Sequence, residues 1–283
     1  MKKSFCIISR DKRSELLFRS AWIEAATESK IAITTLRRRD GFFGLVSKAL
    51  FQKIIGNKIG TFGVSESLLM SWIRPDIVVF TGFGRLLYEG SKFRKLLFKY
   101  LLLMYRDAFV VCLNCDDYRI LKFIGFTRVY KINGEGYQTK RARGKPFLNN
   151  GDFLFVGRLL KSKGLTMVLD SFIAGGFKST TLNIVGDSDF GNSDSFTQDE
   201  IDSYVMQSNG MIKFHGYQSN LSKYYTPGAV YISASHREGL PFSVLEALDN
   251  GLVCILSRVP GHRDLGKLEN VMLFDNQHEL ANL

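Results

Sequence analysis

The residues able to do chemistry gather in the second half of this 283-residue sequence, each just after a short apolar run. Phe153-Leu154-Phe155-Val156 leads into Gly157-Arg158, with Lys163-Gly164 a few positions on. Leu182-Asn183-Ile184-Val185 leads into Gly186-Asp187, and Ile212-Lys213-Phe214 into His215-Gly216-Tyr217. Tyr231-Ile232-Ser233 leads into Ala234-Ser235-His236-Arg237-Glu238-Gly239-Leu240-Pro241, and Glu246 follows. Glycine lets the main chain approach a ligand closely. Arg158 and Lys163 offer cations to phosphate, the first as a fork and the second as a point charge. A helix opening at Pro241 aims unpaired N–H groups at the same place. Glu238, at a strand end, can accept hydrogen bonds from hydroxyls, and Glu246 on the following helix can turn into the same crevice. Taken singly, each residue also reads as structural: Glu246 as an exposed helix residue, Lys163 as a solvated one, Gly157 as a turn. Their order, spacing and shared place at strand ends favour a ligand carrying both phosphates and hydroxyls.

The elements that must position these residues follow from the hydrophobic pattern. Short apolar runs predict strands over 4–9, 31–36, 77–81, 109–113 and 129–132, then 153–156, 181–185, 212–214, 230–233, 253–256 and 271–274. Helical spacing falls between most of them, over 12–28, 64–72, 93–105, 164–174, 198–208 and 242–250. Such alternation predicts an α/β chain of parallel sheets covered by helices. The polar, basic stretch 138–150 separates two units, drawn as an N-terminal domain 1–145 and a C-terminal domain 146–283.

Charge divides along the same line. Residues 1–150 hold 28 Lys and Arg against 12 Asp and Glu, an excess of +16; residues 151–283 hold 10 against 15, a balance of −5. The first half should therefore be drawn to something anionic. Residues 41–55 and 92–106 each place apolar side chains at helical spacing among lysines and arginines, a pattern suited to the headgroup layer of an anionic membrane. Core-facing helices with solvated lysines give the same pattern. No recognised nucleic-acid motif accompanies the charge, so nucleic acid is not the expected partner. A composition of 45% hydrophobic and 23% charged residues excludes wholesale disorder. No apolar run approaches the about 18 residues of a membrane-spanning helix. The amino end has too short an apolar core for a signal peptide and reads as a first strand, so the chain is expected in the cytoplasm with reduced thiols.

The second-half pattern resembles the carboxyl domain of retaining, nucleotide-sugar-dependent glycosyltransferases of family 4, which have the GT-B fold of two facing Rossmann-like domains. The resemblance rests on Val156-Gly157-Arg158-Leu159 with Lys163-Gly164, Ile184-Val185-Gly186-Asp187, Phe214-His215-Gly216, Ser235 through Pro241 running to Leu245-Glu246-Ala247, and Pro260-Gly261. In the first half, Arg74-Pro75-Asp76-Ile77-Val78-Val79 resembles the strand found midway through the family's amino domain, and Phe80 through Arg85, Asn114-Cys115-Asp116-Asp117 and Ile132-Asn133-Gly134-Glu135-Gly136 resemble the subgroup that builds bacterial surface polysaccharide, O-antigen or capsule. The resemblance implies that Arg158 and Lys163 hold the donor diphosphate beside Gly157 and stabilise the departing charge. It implies that Glu238 contacts the transferred sugar, with Gly239 and Leu240 offering N–H groups, and that Glu246 grips the ribose. His215, Gly216 and Tyr217 would lie near the base. The donor would be a nucleoside-diphosphate sugar, with uridine the expected base, and no metal or other cofactor would be needed. The acceptor would be a lipid-diphosphate-linked glycan, reached by a peripheral protein on the inner face of the plasma membrane.

Two departures motivate a second reading. Arg10-Asp11-Lys12-Arg13-Ser14-Glu15 follows the first strand where the family commonly has a glycine pair, and the C-terminal end, at Leu283, comes early. A truncated, inactive GT-B protein serving as a membrane- or partner-binding module would show both. Other signals carry less. Cys112 and Cys115 form a C-x-x-C with no second pair or spaced His for zinc. Asp187-Ser188-Asp189 mimics a metal-binding triplet but sits in the Gly186-Asp187 loop. His215 and His236 lack a Ser or Cys partner for a hydrolase triad.

Overall fold

A computed structural model describes residues 4–9, 28–29, 32–37, 42–83, 91–104, 106–133, 151–189 and 191–283. Nearly all of the helix predicted over 12–28, the segment 10–15, Gly84-Arg85, Gly134-Glu135-Gly136 and the boundary stretch 138–150 lie outside the described residues. The chain packs as two units, Met1–Tyr137 and Gln138–Leu283.

In the first unit, six parallel strands run β1 (Ser4–Ser9), β2 (Ala32–Arg37), β3 (Lys58–Phe62), β4 (Ile77–Phe80), β5 (Phe109–Cys112) and β6 (Val129–Lys131). Their order in the sheet is β2-β1-β3-β4-β5-β6. Strand β3 is a correction to the sequence reading, which assigns no element to 58–62; it fills the sheet between β1 and β4. The helices are α1 (Phe42–Ile54), α2 (Val64–Leu69), α3 (Lys92–Leu103) and α4 (Cys115–Ile124). Helix α4 is likewise absent from the sequence reading. The helix predicted over 64–72 divides into α2 and a 3-10 turn, Ser71–Ile73. Register pairs Cys6 with Ile59, Thr61 with Val78 and Val78 with Val110, so these residues share one strand face. That face buries Leu45 and Ala49 of α1, Leu102 of α3 and Leu121 of α4. All three helices therefore cover the same side of the sheet. No described helix is long and apolar enough to cross a membrane.

The second unit repeats the scheme with β7 (Phe153–Val156), β8 (Leu182–Val185), β9 (Ile212–Phe214), β10 (Val230–Ser233), β11 (Val253–Ser257) and β12 (Val271–Phe274). All pairings are parallel, in the order β12-β11-β10-β7-β8-β9. Its helices are α5 (Leu165–Ala174), α6 (Gln198–Gln207), α7 (Phe242–Asp249), α8 (His262–Leu265) and α9 (Gln277–Asn282). One face buries Phe155, Ile184 and Ile232 against Leu165 and Leu169 of α5; the other buries Leu154, Tyr231 and Cys254 against Val244 and Ala247 of α7. Each fully buried aliphatic side chain contributes about 1.5–3 kcal/mol relative to exposure, so a sheet sandwiched on both faces is firmly held. Strands β7 and β10 are neighbours, yet the chain leaves them in opposite directions, toward β8 and β9 from one and toward β11 and β12 from the other. Loops that part in this way open a crevice at the carboxyl ends of the two strands.

Candidate active site

Two glycines set how closely the crevice loops approach. Gly164 has a positive φ of 69° and lies against the loop after β10, where a Cβ would fall 1.9 Å from the Ala234 carbonyl oxygen. Gly186, with φ of 148°, lies against the loop after β7, where a Cβ would fall 1.8 Å from the Gly157 carbonyl oxygen. The His236 amide donates to the Ser162 carbonyl at 3.1 Å, a further tie between the loops.

These ties bring Lys163 and Glu238, 75 positions apart, into one contact: Lys163 Nζ donates to Glu238 Oε1 at 2.6 Å. Ser235 Oγ donates to the same oxygen at 2.7 Å. Behind Ser235, Ser257 Oγ donates to the Ser235 carbonyl at 2.6 Å, and His262 Nδ1 lies 3.0 Å from the Ser257 carbonyl. A carbonyl only accepts, so Nδ1 carries the proton there. His262 is fully buried and its Nε2 has no partner among the described residues. Burial lowers the His262 pKa, against the Glu238 charge and the Ser257 hydrogen bond, which raise it. Burial pushes the Glu238 carboxyl up, but Lys163, His262 and the hydrogen bonds from Lys163 and Ser235 pull it below its ordinary value. The acid is thus an anion at neutral pH, held beside an ammonium.

Arg158 stands on the loop after β7, its Nη1 donating to Asp189 Oδ2 at 2.9 Å. Glu246, on α7, accepts from Tyr225 Oη at 3.0 Å. Gly239 and Leu240 lead into α7, whose N-cap is Pro241. Tyr231 lies beneath, its hydroxyl donating to Ser243 Oγ at 2.8 Å and reaching the Val156 carbonyl at 3.3 Å. Gly216 and Tyr217 close on the loop after β8: the Gly186 amide donates to the Gly216 carbonyl at 2.9 Å and the Tyr217 amide to Asp187 Oδ1 at 2.8 Å. The His215 side chain is held elsewhere, Nε2 2.8 Å from Asn183 Oδ1. It lines a cavity of about 340 Å³ with Asp152, Lys223, Tyr224 and Thr226, a lining that includes neither Lys163 nor Glu238. Burial, then Lys223 and Lys213, lower its pKa.

The structure therefore joins Lys163 to Glu238 directly, sets Gly157 and Arg158 on the adjoining loop and puts Glu246 on the helix that follows Glu238. Sequence reasoning missed the supporting partners Ser257, His262, Tyr225 and Asp189. Ser235, three residues before Glu238, had a local signal in the sequence, and Asp189 stood out only as part of the Asp187-Ser188-Asp189 triplet.

Two parallel six-stranded sheets in one α/β chain, with ligand-ready loops at a switch point, define the GT-B glycosyltransferase fold, and solved structures bear this out. Sucrose-phosphate synthase from Thermosynechococcus elongatus aligns over 99% of this chain and 88% of its own, at a TM-score of 0.76 and 16% identity. Anabaena HepE in complex with UDP aligns over 100% and 88%, at 0.72 and 16%. WaaG, a glycosyltransferase involved in lipopolysaccharide biosynthesis, aligns over 99% and 88%, at 0.64 and 12%. At these identities the likeness is one of fold. Residues 150–283 match the family model described as glycosyl transferases group 1. No curated protein matches the sequence.

Proposed function

We propose that the protein is a retaining glycosyltransferase that moves a sugar from a nucleoside-diphosphate sugar, with uridine as the base, to a hydroxyl of a lipid-diphosphate-linked glycan. The observation that carries this reading is the Lys163–Glu238 contact at the β7/β10 crevice, with Arg158 earlier on the loop that ends at Lys163, inside the segment that matches the group 1 model. HepE structures hold UDP and UDP-glucose, which supports the donor class. Arg158, Lys163 and the N-terminus of α7 would take the charge that develops on the leaving diphosphate, in place of a metal. Glu238 would orient the sugar by its hydroxyls, Glu246 would hold the ribose, and Gly216, Tyr217 and the main chain of His215 would border the base, the His215 side chain being turned to Asn183. If the acceptor enters on the face the diphosphate leaves, configuration is kept: the anomeric C–O bond to phosphate breaks, the acceptor oxygen bonds the anomeric carbon, and the departing phosphate oxygen takes the proton.

The surface-polysaccharide role and a place at the inner face of the plasma membrane rest on the first unit. Helix α3 exposes Phe93, Leu96, Leu97 and Tyr100, a stripe at helical spacing among Lys92, Arg94, Lys95 and Lys99. Phe123 of α4 is 86% exposed, with Lys99 Nζ 6.0 Å from its ring centre. Helix α1 and the turn after α2 expose Phe51, Ile54 and Trp72. Apolar side chains fringed by cations suit an anionic lipid surface. The likeness to WaaG, a lipopolysaccharide enzyme, agrees with this role.

The test is donor-sugar turnover with bacterial membranes as the acceptor source. Glu238→Ala and Arg158→Ala are each expected to lower turnover by about a hundredfold or more, the scale of losing a group that stabilises developing charge. Unchanged turnover in both variants would remove the site assignment. A wild-type chain that binds vesicles but transfers nothing would point instead to an inactive docking module.

A further inference from the structure

We infer that Asp189 is an internal stand-in for a donor phosphate: at rest its carboxylate occupies Arg158, and a diphosphate must displace it to bind. The inference rests on the reading of Arg158 as a donor-phosphate contact. It begins with the one-pronged hydrogen bond from Arg158 Nη1 to Asp189 Oδ2 at 2.9 Å. Carboxylate and phosphate seek the same guanidinium fork, so the two compete for one cation.

Asp189 reaches this position because its loop is built to put it there. The Asp189 amide donates to Ser195 Oγ at 2.8 Å, and Asn192 Nδ2 donates to the same Oδ2 that Arg158 meets, at 3.3 Å. The Asn192 amide closes a turn onto the Asp189 carbonyl at 3.0 Å. The loop is laced in turn to the segment after β7: the Leu159 amide donates to the Asp187 carbonyl at 3.0 Å and the Lys161 amide to the Asp194 carbonyl at 2.8 Å. Backbone bonds therefore hold the loop and Asn192 holds the carboxylate, so Arg158 is not its sole support.

The pair is also open to exchange. Arg158 and Asp189 side chains are 63% and 43% exposed, and exposed ion pairs contribute little each. Lys163 and Glu238 repeat the arrangement with a more buried pair. Both cations that the donor diphosphate would need are thus neutralised by acids of the same chain. A ligand bearing two adjacent phosphates can engage both cations at once, whereas a lone phosphate meets one. The second acid of the Asp187-Ser188-Asp189 triplet thereby has a guanidinium partner and an affinity-setting role.

Calorimetric titration of the full chain with UDP, and separately with inorganic pyrophosphate, tests this. Asp189→Asn should tighten both ligands about two- to fivefold, the range that follows from releasing an exposed ion pair. Arg158→Ala should weaken both, and Asp189→Asn should change nothing in that background. Melting temperatures check the fold, and Asp189→Ser serves in the same cycle if the Asn variant melts early. Weaker binding in Asp189→Asn would make Asp189 an orienting partner of Arg158 and overturn the inference. So would unchanged binding, or equal tightening with and without Arg158, the mark of a general charge effect. If wild type binds neither ligand, or Arg158→Ala binds as wild type does, the donor-site reading itself falls and takes this inference with it.

Discussion

The two units share a scaffold and differ in where their charge goes. Each is a sheet of six parallel strands. In the second, the cations near the crevice are matched to acids: Arg158 to Asp189, Lys161 to Glu200 and Lys163 to Glu238. In the first, the lysines and arginines of α3 fringe an exposed apolar stripe. On the proposed function, strand ends in one unit and helix faces in the other would be the parts that meet partners. The same topology supports a small-molecule crevice or an adhesive surface according to which residues occupy those positions.

The largest effect that would sharpen this contrast lies in backbone crowding. Gly186→Ala forces a Cβ onto the Gly157 carbonyl, and a cost of about 2–4 kcal/mol is expected from urea denaturation. In the first unit, Gly56 also has a positive φ, but a Cβ there would meet no atom within 4 Å, so Gly56→Ala should cost only about 1 kcal/mol. Equal costs would mean that the crevice loops are no tighter than a surface turn.

A middling effect concerns the exposed apolar stripe of α3. The double variant Phe93→Glu, Leu96→Glu should weaken sedimentation with anionic vesicles by at least about tenfold, since each inserted side chain contributes about 1.5–3 kcal/mol. UDP binding should be unaffected. Met206→Glu, at an equally exposed apolar residue of the second unit, should leave sedimentation as it was. Parity between the two would break this division of labour.

The smallest effect is a pH slope confined to the second unit. His262 and His215 have folded pKa values below the ordinary 6.5, so the unfolded chain binds more protons in the window below that value. Stability should therefore be full above about pH 6.5 and fall as pH drops through 6 toward 5. Glu238 adds a second loss below its ordinary 4.5, because its folded pKa is lowered. His262→Asn should flatten the upper slope in melting curves taken from pH 7.5 to 5; a slope that persists would show that His262 does not set it.

Much of the site was legible because its residues follow strands, where local pattern and glycine placement reveal them. Arg158, Lys163, Glu238 and Glu246 could all be named this way. Their partners could not: Asp189 is 31 positions from Arg158, and Glu238 is 75 from Lys163, distances over which sequence carries no spacing rule. Strand β3 escaped because Gly60 breaks a five-residue run with only two large apolar side chains. Helix α4 escaped because its first turn, Cys115-Asp116-Asp117, reads in the sequence as part of a resemblance when it is the acidic start of a helix capped by Asn114.

The chain of hydroxyls under Glu238 has one more implication. Ser257 and Ser235 belong to neighbouring strand ends, and through them a buried imidazole steadies the acid that would judge the incoming sugar. On the proposed function, a substitution at Ser257 would reach the sugar through Ser235 and Glu238 while every residue that touches the donor stays the same.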